Sequence, residues 1–203
     1  MKLKICGMKY PENMVEIGSL LPDFMGFIFW KPSTRYFEDA IPVLPTSIQK
    51  VGVFVDATLD DIVGITTKHQ IDLIQLHGKE SPDFCHKLQS LNAQIIKVFS
   101  IDAAFDFSQL QPYESVCDYY LFDTKGKQPG GNGVTFDWQI LQNYKSKKPM
   151  FLSGGIGLEE ISRIQELKLP IYAIDVNSKF EIEPGLKDIQ KLQQFQNLLH
   201  QIS

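Results

Sequence analysis

The strongest constraint on the fold is a strand-then-helix pattern that repeats eight times, at a spacing of roughly 25 residues per unit. Short apolar runs, typical of parallel strands buried on both faces, alternate with amphipathic segments whose apolar residues recur every three or four positions. The predicted strands cover residues 2–6, 24–30, 50–55, 73–77, 95–99, 119–122, 150–152 and 171–176. Eight such units predict an α/β fold of the (β/α)₈ barrel type, forming one domain over residues 1–203. A doubly wound open sheet is the alternative, but no GxGxxG motif follows the first strand.

The helical segments are less uniform than the strands. The first helix begins near Pro11 and is predicted to turn four side chains inward: Met14, Val15, Ile17 and Leu21. Two prolines interrupt the segment after the second strand, so its helix is predicted to be short. The segment after the fifth strand has the weakest helical pattern. The closing helix is the clearest, with apolar side chains at amphipathic spacing: Ile189, Leu192, Phe195, Leu199 and Ile202.

Composition excludes several classes of function. The 203 residues, 43% of them hydrophobic, suit one sizeable core. A net charge of −4 gives no basic surface for a nucleic-acid partner, and no apolar run approaches the roughly 20 residues that span a bilayer. The three cysteines contain no CxxC pair and the four histidines no HxH or HExxH pair. We therefore expect reduced thiols, a cytoplasmic location without a signal peptide, and no metal.

Two turns near the end of the chain indicate a phosphate site. Ser153, Gly154 and Gly155 lead from the seventh strand into a helix, so several backbone N–H groups can point at one anion. Asn177 and Ser178 follow the eighth strand and are predicted to open a short extra helix. Phosphate sites of (β/α)₈ barrels commonly lie after strands seven and eight. No Walker-type phosphate loop is present, which disfavours a nucleoside triphosphatase.

An acid and a base are predicted at the mouth of the barrel. Asp123 ends the sixth strand, and Cys6 ends the first. A carboxyl group in a partly dry pocket can donate a proton, and a thiol can accept one where cationic neighbours favour the thiolate. Buried cysteine is more often inert packing, and Lys4 is predicted to alternate away from Cys6, so it is not expected to help. His77 is interpreted as structural rather than as a ligand contact.

Two loops are expected to cover this mouth. Arg35 lies in the long loop after the second strand, where its planar guanidinium can bind a carboxylate or a phosphate. Three glycines, Gly130, Gly131 and Gly133, make the loop after Asp123 a predicted mobile lid. Asp137, or Thr135 before it, is predicted to open the helix that follows this loop.

Seven segments together resemble one enzyme family, the phosphoribosylanthranilate isomerases of tryptophan biosynthesis. They read KICGMK, DFMGFIFWKPSTRY, KVGVFVD, IQLHG, LFDTKGKQPGGNGVTFDW, FLSGGI and IDVNSKFEIEPGLKD, and they span residues 4–188. The resemblance implies a (β/α)₈ barrel without cofactor or metal. It also implies an Amadori rearrangement of N-(5-phosphoribosyl)anthranilate to a 1-deoxyribulose phosphate, in a protein that is a monomer or a homodimer.

The resemblance also implies roles for individual residues. Cys6 matches the family's general base and Asp123 its general acid, while Arg35 matches the arginine that binds the anthranilate carboxylate. Four residues fall in the phosphate-binding turns: Gly154, Gly155, Asn177 and Ser178. The chain departs from the family pattern at Thr34, where the family has proline, at Lys179, where it has glycine, and in its GGNG sequence, where the lid loop usually reads GGTG.

Two other functions stay open at this stage. One is another phosphate-binding barrel enzyme, such as indole-glycerol-phosphate synthase, which uses lysines at strand ends; no such lysine follows strand one or strand four here. The other is a non-catalytic barrel that binds phosphorylated metabolites or a partner protein. Intact Cys6 and Asp123 disfavour this second alternative.

Overall fold

The computed structural model describes residues 1–124, 137–167 and 169–202, and it shows a closed barrel of eight parallel strands. The strands pair in chain order and β8 returns to β1, so the predicted barrel is confirmed and the open sheet is excluded. Their bounds are β1 Lys2–Ile5, β2 Phe24–Ile28, β3 Gln49–Phe54, β4 Leu73–Leu76, β5 Gln94–Ile101, β6 Tyr119–Thr124, β7 Met150–Leu152 and β8 Ile171–Val176. Each lies within two residues of its predicted bounds.

The described part of the chain contains five α-helices and four 3₁₀ helices, which lie between the barrel strands and after β8. The α-helices are α1 Pro11–Gly18, α2 Leu59–His69, α3 Pro82–Leu88, α4 Ile161–Glu166 and α5 Ile189–Gln201. The 3₁₀ helices are Phe107–Tyr113, Trp138–Asn143, Leu158–Glu160 and Ser178–Phe180. A short antiparallel hairpin, β9 Glu181–Glu183 and β10 Leu186–Lys187, precedes α5. None of the described helices is long and apolar enough to cross a bilayer.

The strand residues divide between two hydrophobic clusters because successive side chains point to opposite faces of the sheet. The larger cluster lies between the sheet and the helices and includes Ile5, Phe122 and Phe195. The smaller one fills the barrel, with Phe24, Leu121 and Phe151 among its members. A barrel of eight strands has room for side chains and no open channel. The interior of this barrel is therefore packed, and a site that uses several strands is expected at their carboxyl ends.

The structure corrects the prediction for the first two helical segments. Met14 and Ile17 are fully buried on α1, but Val15 and Leu21 are 56% and 58% exposed. The helix is only eight residues long, and Leu21 lies beyond it in a left-handed conformation, off the periodic face. No helix forms between β2 and β3, where Pro42 and Pro45 remove backbone donors. The weak pattern after β5 and the segment after Asp137 both become 3₁₀ helices.

Three aspartates tie neighbouring strands together at the amino-terminal end of the barrel. Asp23, Asp72 and Asp118 each precede an even-numbered strand. Their carboxylates accept the backbone N–H groups of Leu3, Lys50 and Ile95 on the preceding strands, at 2.8, 2.7 and 2.7 Å. In each case the N–H belongs to the start of the strand, so the bond fixes where two strands begin relative to each other.

We expect Asp118→Ala to destabilise the barrel by about 1–3 kcal/mol, because the N–H of Ile95 loses a charged acceptor. At roughly 2–4 °C per kcal/mol for a chain of this size, the Tm falls by several degrees. Thermal unfolding followed by circular dichroism measures this change. Asp39→Ala, which removes an exposed loop carboxylate, serves as the control. Equal Tm values for the two variants would contradict a clamping role for Asp118.

Candidate active site

A pocket lies at the carboxyl ends of the strands, as the barrel architecture requires. All the predicted site residues that the structure describes line this pocket: Cys6, Arg35, Asp123, Gly154, Gly155, Asn177 and Ser178. They lie just after β1, near the end of β6, in the loops after β2, β7 and β8, and in the 3₁₀ helix after β8, so only the closed barrel brings them together. The predicted lid glycines, Gly130, Gly131 and Gly133, lie outside the described residues.

Cys6 sits immediately after β1, with its backbone N–H donating to the carbonyl of Val176 on β8 at 2.9 Å. Its side chain is buried and packs against β2 at Gly26. A Cβ atom at position 26 would lie 2.8 Å from the sulfur of Cys6, so only glycine leaves room for the thiol at this place. The thiol therefore faces the pocket from a fixed position inside the barrel.

The prediction that Lys4 points away from Cys6 is wrong, because residues two apart on a strand share a face. Lys4 is completely buried inside the barrel and its Nζ donates to Oδ1 of Asp175 at 2.8 Å. Burial lowers the pKa of Lys4, but Asp175 and Cys6 more than offset this and raise it. Burial raises the pKa of the Cys6 thiol, and Lys4 is the strongest of the groups that oppose that rise. Lys4 thus lowers the cost of a thiolate beside it.

Asp123 is buried at the end of β6, and a histidine lies beside its carboxyl group. Nε2 of His77 lies 3.4 Å from Oδ2 of Asp123 and has no hydrogen-bond partner within the described residues. The other carboxylate oxygen accepts the backbone N–H of Thr124 at 2.8 Å. His77 also lines the pocket, and its interpretation as a structural residue stays a prediction. The imidazole and the carboxyl group form one polar edge of the site.

A buried cation fixes the loop that carries His77. Nζ of Lys97 donates to the carbonyl of Gly78 and to Oε2 of Glu80, both at 2.8 Å. Glu80 in turn accepts the N–H groups of Gly78 and Asp56. The end of β3, the loop after β4 and β5 are therefore joined by one ion-paired cluster next to the pocket.

The turn after β7 has the geometry of an anion-binding turn. Gly154 and Gly155 follow each other with φ values of +94° and +66°, a region that favours glycine. A Cβ at position 154 would lie 2.2 Å from Oγ1 of Thr124 and 3.0 Å from Oδ1 of Asp123. Neither glycine N–H donates to a protein acceptor in the described part of the chain. Two consecutive N–H groups are thus available to a ligand, close to Asp123.

The predicted short helix after β8 is confirmed as the 3₁₀ helix Ser178–Phe180, with Asn177 just before it. Oδ1 of Asn177 accepts a hydrogen bond from Nζ of Lys187 at 2.6 Å. Ser178 and the exposed Lys179 complete this side of the pocket.

Arg35 reaches the pocket from the loop after β2, as predicted, but a carboxylate already holds it. Its Nε and Nη2 donate to the two oxygens of Glu181 at 2.8 and 2.7 Å, a bidentate pair. Nζ of Lys187 donates to Oε1 of the same carboxylate at 2.8 Å. Burial opposes ionisation of Glu181, but the bonds from Arg35 and Lys187 outweigh it and lower the pKa of the carboxyl.

Sequence reasoning did not single out Glu181 or Lys187, and it misplaced Lys4. The two-residue spacing of Lys4 and Cys6 on a predicted strand would have corrected the last error. No local signal marks Glu181 as a partner of Arg35, because 146 positions separate them. The described residues contain no group of three or more histidine, cysteine or acidic side chains arranged to hold a metal ion.

Comparison with known proteins gives one consistent result. A family model for N-(5'-phosphoribosyl)anthranilate (PRA) isomerase matches residues 3–197. The N-(5'-phosphoribosyl)anthranilate isomerase of Parabacteroides distasonis is 44% identical in an alignment that covers 98% of this chain and 94% of that relative. The crystal structure of phosphoribosyl anthranilate isomerase from Thermotoga maritima matches with a TM-score of 0.89 at 30% identity, covering 99% of each chain.

A further solved structure matches with a TM-score of 0.85 at 25% identity, again over 99% of each chain. It is a phosphoribosyl anthranilate isomerase in complex with reduced 1-(o-carboxyphenylamino)-1-deoxyribulose 5-phosphate. Family model, curated relative and solved structures therefore agree across almost the whole length of the barrel. The chain belongs to the N-(5'-phosphoribosyl)anthranilate isomerase family.

Proposed function

We propose that this protein converts N-(5-phosphoribosyl)anthranilate to 1-(2-carboxyphenylamino)-1-deoxyribulose 5-phosphate in tryptophan biosynthesis. The main support for the proposal is that one pocket is lined by a candidate acid (Asp123), a candidate base (Cys6), the guanidinium of Arg35 and the glycine turn after β7. The substrate has one group for each of them: a ring oxygen, a proton on C2′, a carboxylate and a phosphate. Membership of the isomerase family supports the same assignment.

The reaction needs two proton transfers on the sugar. Asp123 donates a proton to the ribose ring oxygen, and the C1′–oxygen bond breaks to give an open-chain Schiff base. Cys6 then removes the proton from C2′, and the electrons of that C–H bond form an enolamine, which tautomerises to the ketone. The working state has a proton on Asp123 and none on Cys6, with Lys4 stabilising the thiolate. One acid and one base complete this route, so it requires no cofactor.

The remaining site residues bind the two ends of the substrate. Arg35 binds the anthranilate carboxylate with the guanidinium N–H groups that Glu181 leaves unused. The phosphate is held by the turn N–H groups of Gly154 and Gly155 and by Asn177 and Ser178. Binding at both ends orients the sugar between Asp123 and Cys6, which converts binding energy into correct alignment of the proton transfers.

We expect Cys6→Ser and Asp123→Asn each to lower kcat by roughly 10²–10⁴, the usual contribution of a general acid or base. A serine hydroxyl is a far weaker proton acceptor than a thiolate, and an amide has no acidic proton to donate. The fluorescence decay of freshly generated phosphoribosylanthranilate measures turnover. Cys85→Ser, at a buried cysteine that does not line the pocket, is the control. Wild-type turnover in either site variant, with the fold intact by circular dichroism, would refute its assigned role.

We expect Gly154→Ala to raise the KM by about tenfold or more while kcat changes less. A side chain there is strained at φ +94° and collides with Thr124, so the turn must move away from the phosphate. Losing one charge-assisted hydrogen bond of about 1.5–3 kcal/mol accounts for that factor. Gly157→Ala is the matched control, since Gly157 has a φ of −136° and its N–H is already bonded to Glu160 at 2.7 Å. Similar KM values for the two variants would argue against phosphate binding at this turn.

A further inference from the structure

We propose that Glu181 is a positioning residue that couples the two ends of the substrate site. Its single carboxylate holds Arg35, at the carboxylate end, and through Lys187 it also holds Asn177, at the phosphate end. The proposal rests on the proposed function, because that function assigns one substrate anion to each end. Glu181 itself does not line the pocket and is expected to act only through these neighbours.

The link to Arg35 sets the direction of the guanidinium. Two of its five N–H donors are fixed on Glu181 by bonds of 2.8 and 2.7 Å, so the plane of the group cannot rotate freely. The other three N–H donors stay available to a ligand carboxylate. The side chains of both residues are mostly buried, with 15% and 6% of their surface exposed, so water does not screen the pair strongly.

The link to Asn177 runs through a lysine with no solvent access. The side chain of Lys187 is completely buried, and its Nζ donates to Oε1 of Glu181 at 2.8 Å and to Oδ1 of Asn177 at 2.6 Å. Burial lowers the pKa of Lys187 to about 8, and Glu181 is the main group that opposes the fall. Without the Glu181 charge, the pKa of Lys187 is expected to fall further. A neutral amine is a weaker donor than an ammonium group, so the Asn177 side chain is then held less firmly.

Both links converge next to Cys6, at Gly7. A Cβ at position 7 would lie 2.8 Å from Cδ of Arg35 and 2.8 Å from Oδ1 of Asn177. Gly7 has a φ of +75°, so the chain turns sharply here to let the two side chains approach. Arg35 and Asn177 are therefore packed against the same glycine, and a shift of either is transmitted to the backbone beside Cys6.

Residues outside the pocket anchor Glu181 and Lys187. Asn13 on α1 accepts the backbone N–H of Lys187 at 2.8 Å and donates to its carbonyl at 3.0 Å. The N–H of Gly185 at the tip of the hairpin donates to Oε1 of Glu181 at 3.0 Å. These bonds fix β10 and the hairpin turn, so Glu181 acts as a rigid support for its two cations rather than as a mobile surface carboxylate.

The test compares Glu181→Gln with Glu183→Gln in the full chain. Glu183 lies two residues further along β9 and is exposed, and among the described residues its carboxylate accepts a hydrogen bond only from the Tyr10 hydroxyl, at 2.9 Å. Calorimetry measures the Kd of anthranilate and of inorganic phosphate separately, and Arg35→Met is measured in parallel. We expect Glu181→Gln to weaken both anions by about tenfold, Arg35→Met to weaken anthranilate only, and Glu183→Gln to weaken neither.

A double variant separates coupling from a general disturbance of the site. In Arg35→Met/Glu181→Gln, the Glu181 change is expected to add no further loss for anthranilate but to keep its full effect on phosphate. In the turnover assay with phosphoribosylanthranilate, we expect Glu181→Gln to raise the KM by a larger factor than it lowers kcat. Loss of anthranilate affinity without loss of phosphate affinity would overturn the coupling, as would equal effects from Glu183→Gln.

These binding measurements do not depend on turnover. A wild-type protein that binds both anions but does not isomerise phosphoribosylanthranilate would refute the proposed function, and the comparison of variants would still decide the coupling. A wild-type protein that binds neither anion would overturn both proposals.

Discussion

Closure of β1 against β8 is the constraint on which the rest of the structure depends. The two strands pair in parallel from Lys2 opposite Ala173 to Ile5 opposite Val176, and the N–H of Cys6 continues the ladder. Because the first and last strands meet here, residues from opposite ends of the sequence share one seam of the site. An open sheet would leave Cys6 at one edge and Asp175 far from it.

Among the residues that the structure describes, three buried lysines lie near the pocket, and each has a carboxylate partner. Lys4 pairs with Asp175 inside the barrel, Lys97 with Glu80 behind the loop that carries His77, and Lys187 with Glu181 beside Arg35. Replacing a buried ion pair with apolar groups is often neutral or stabilising, so such pairs are poor evidence for stability alone. All three pairs lie close to the same pocket. There they hold the polar side chains and loops around the site in fixed orientations.

The predictions for the first two helical segments were wrong because local features interrupt the periodic pattern there. Val15 lies within α1 but about 100° around the helix from Met14, away from the buried face, whereas Leu21 lies beyond Gly18, where α1 ends. The segment after β2 was expected to contain a short helix, and its prolines prevented even that. Strand periodicity was reliable because eight strands buried on both faces leave little choice of residue, whereas a short helix is stabilised mostly by tertiary packing.

The sequence by itself determined the barrel, the positions of its strands and the residues at their carboxyl ends, including Cys6, Asp123 and the turn at Gly154. These are local properties, because apolar runs define strands and glycine pairs define turns. Only the tertiary structure showed that His77 approaches Asp123 and that Glu181 holds Arg35. Most such contacts join residues far apart in sequence, and their geometry is set by barrel closure and burial rather than by any pattern along the chain.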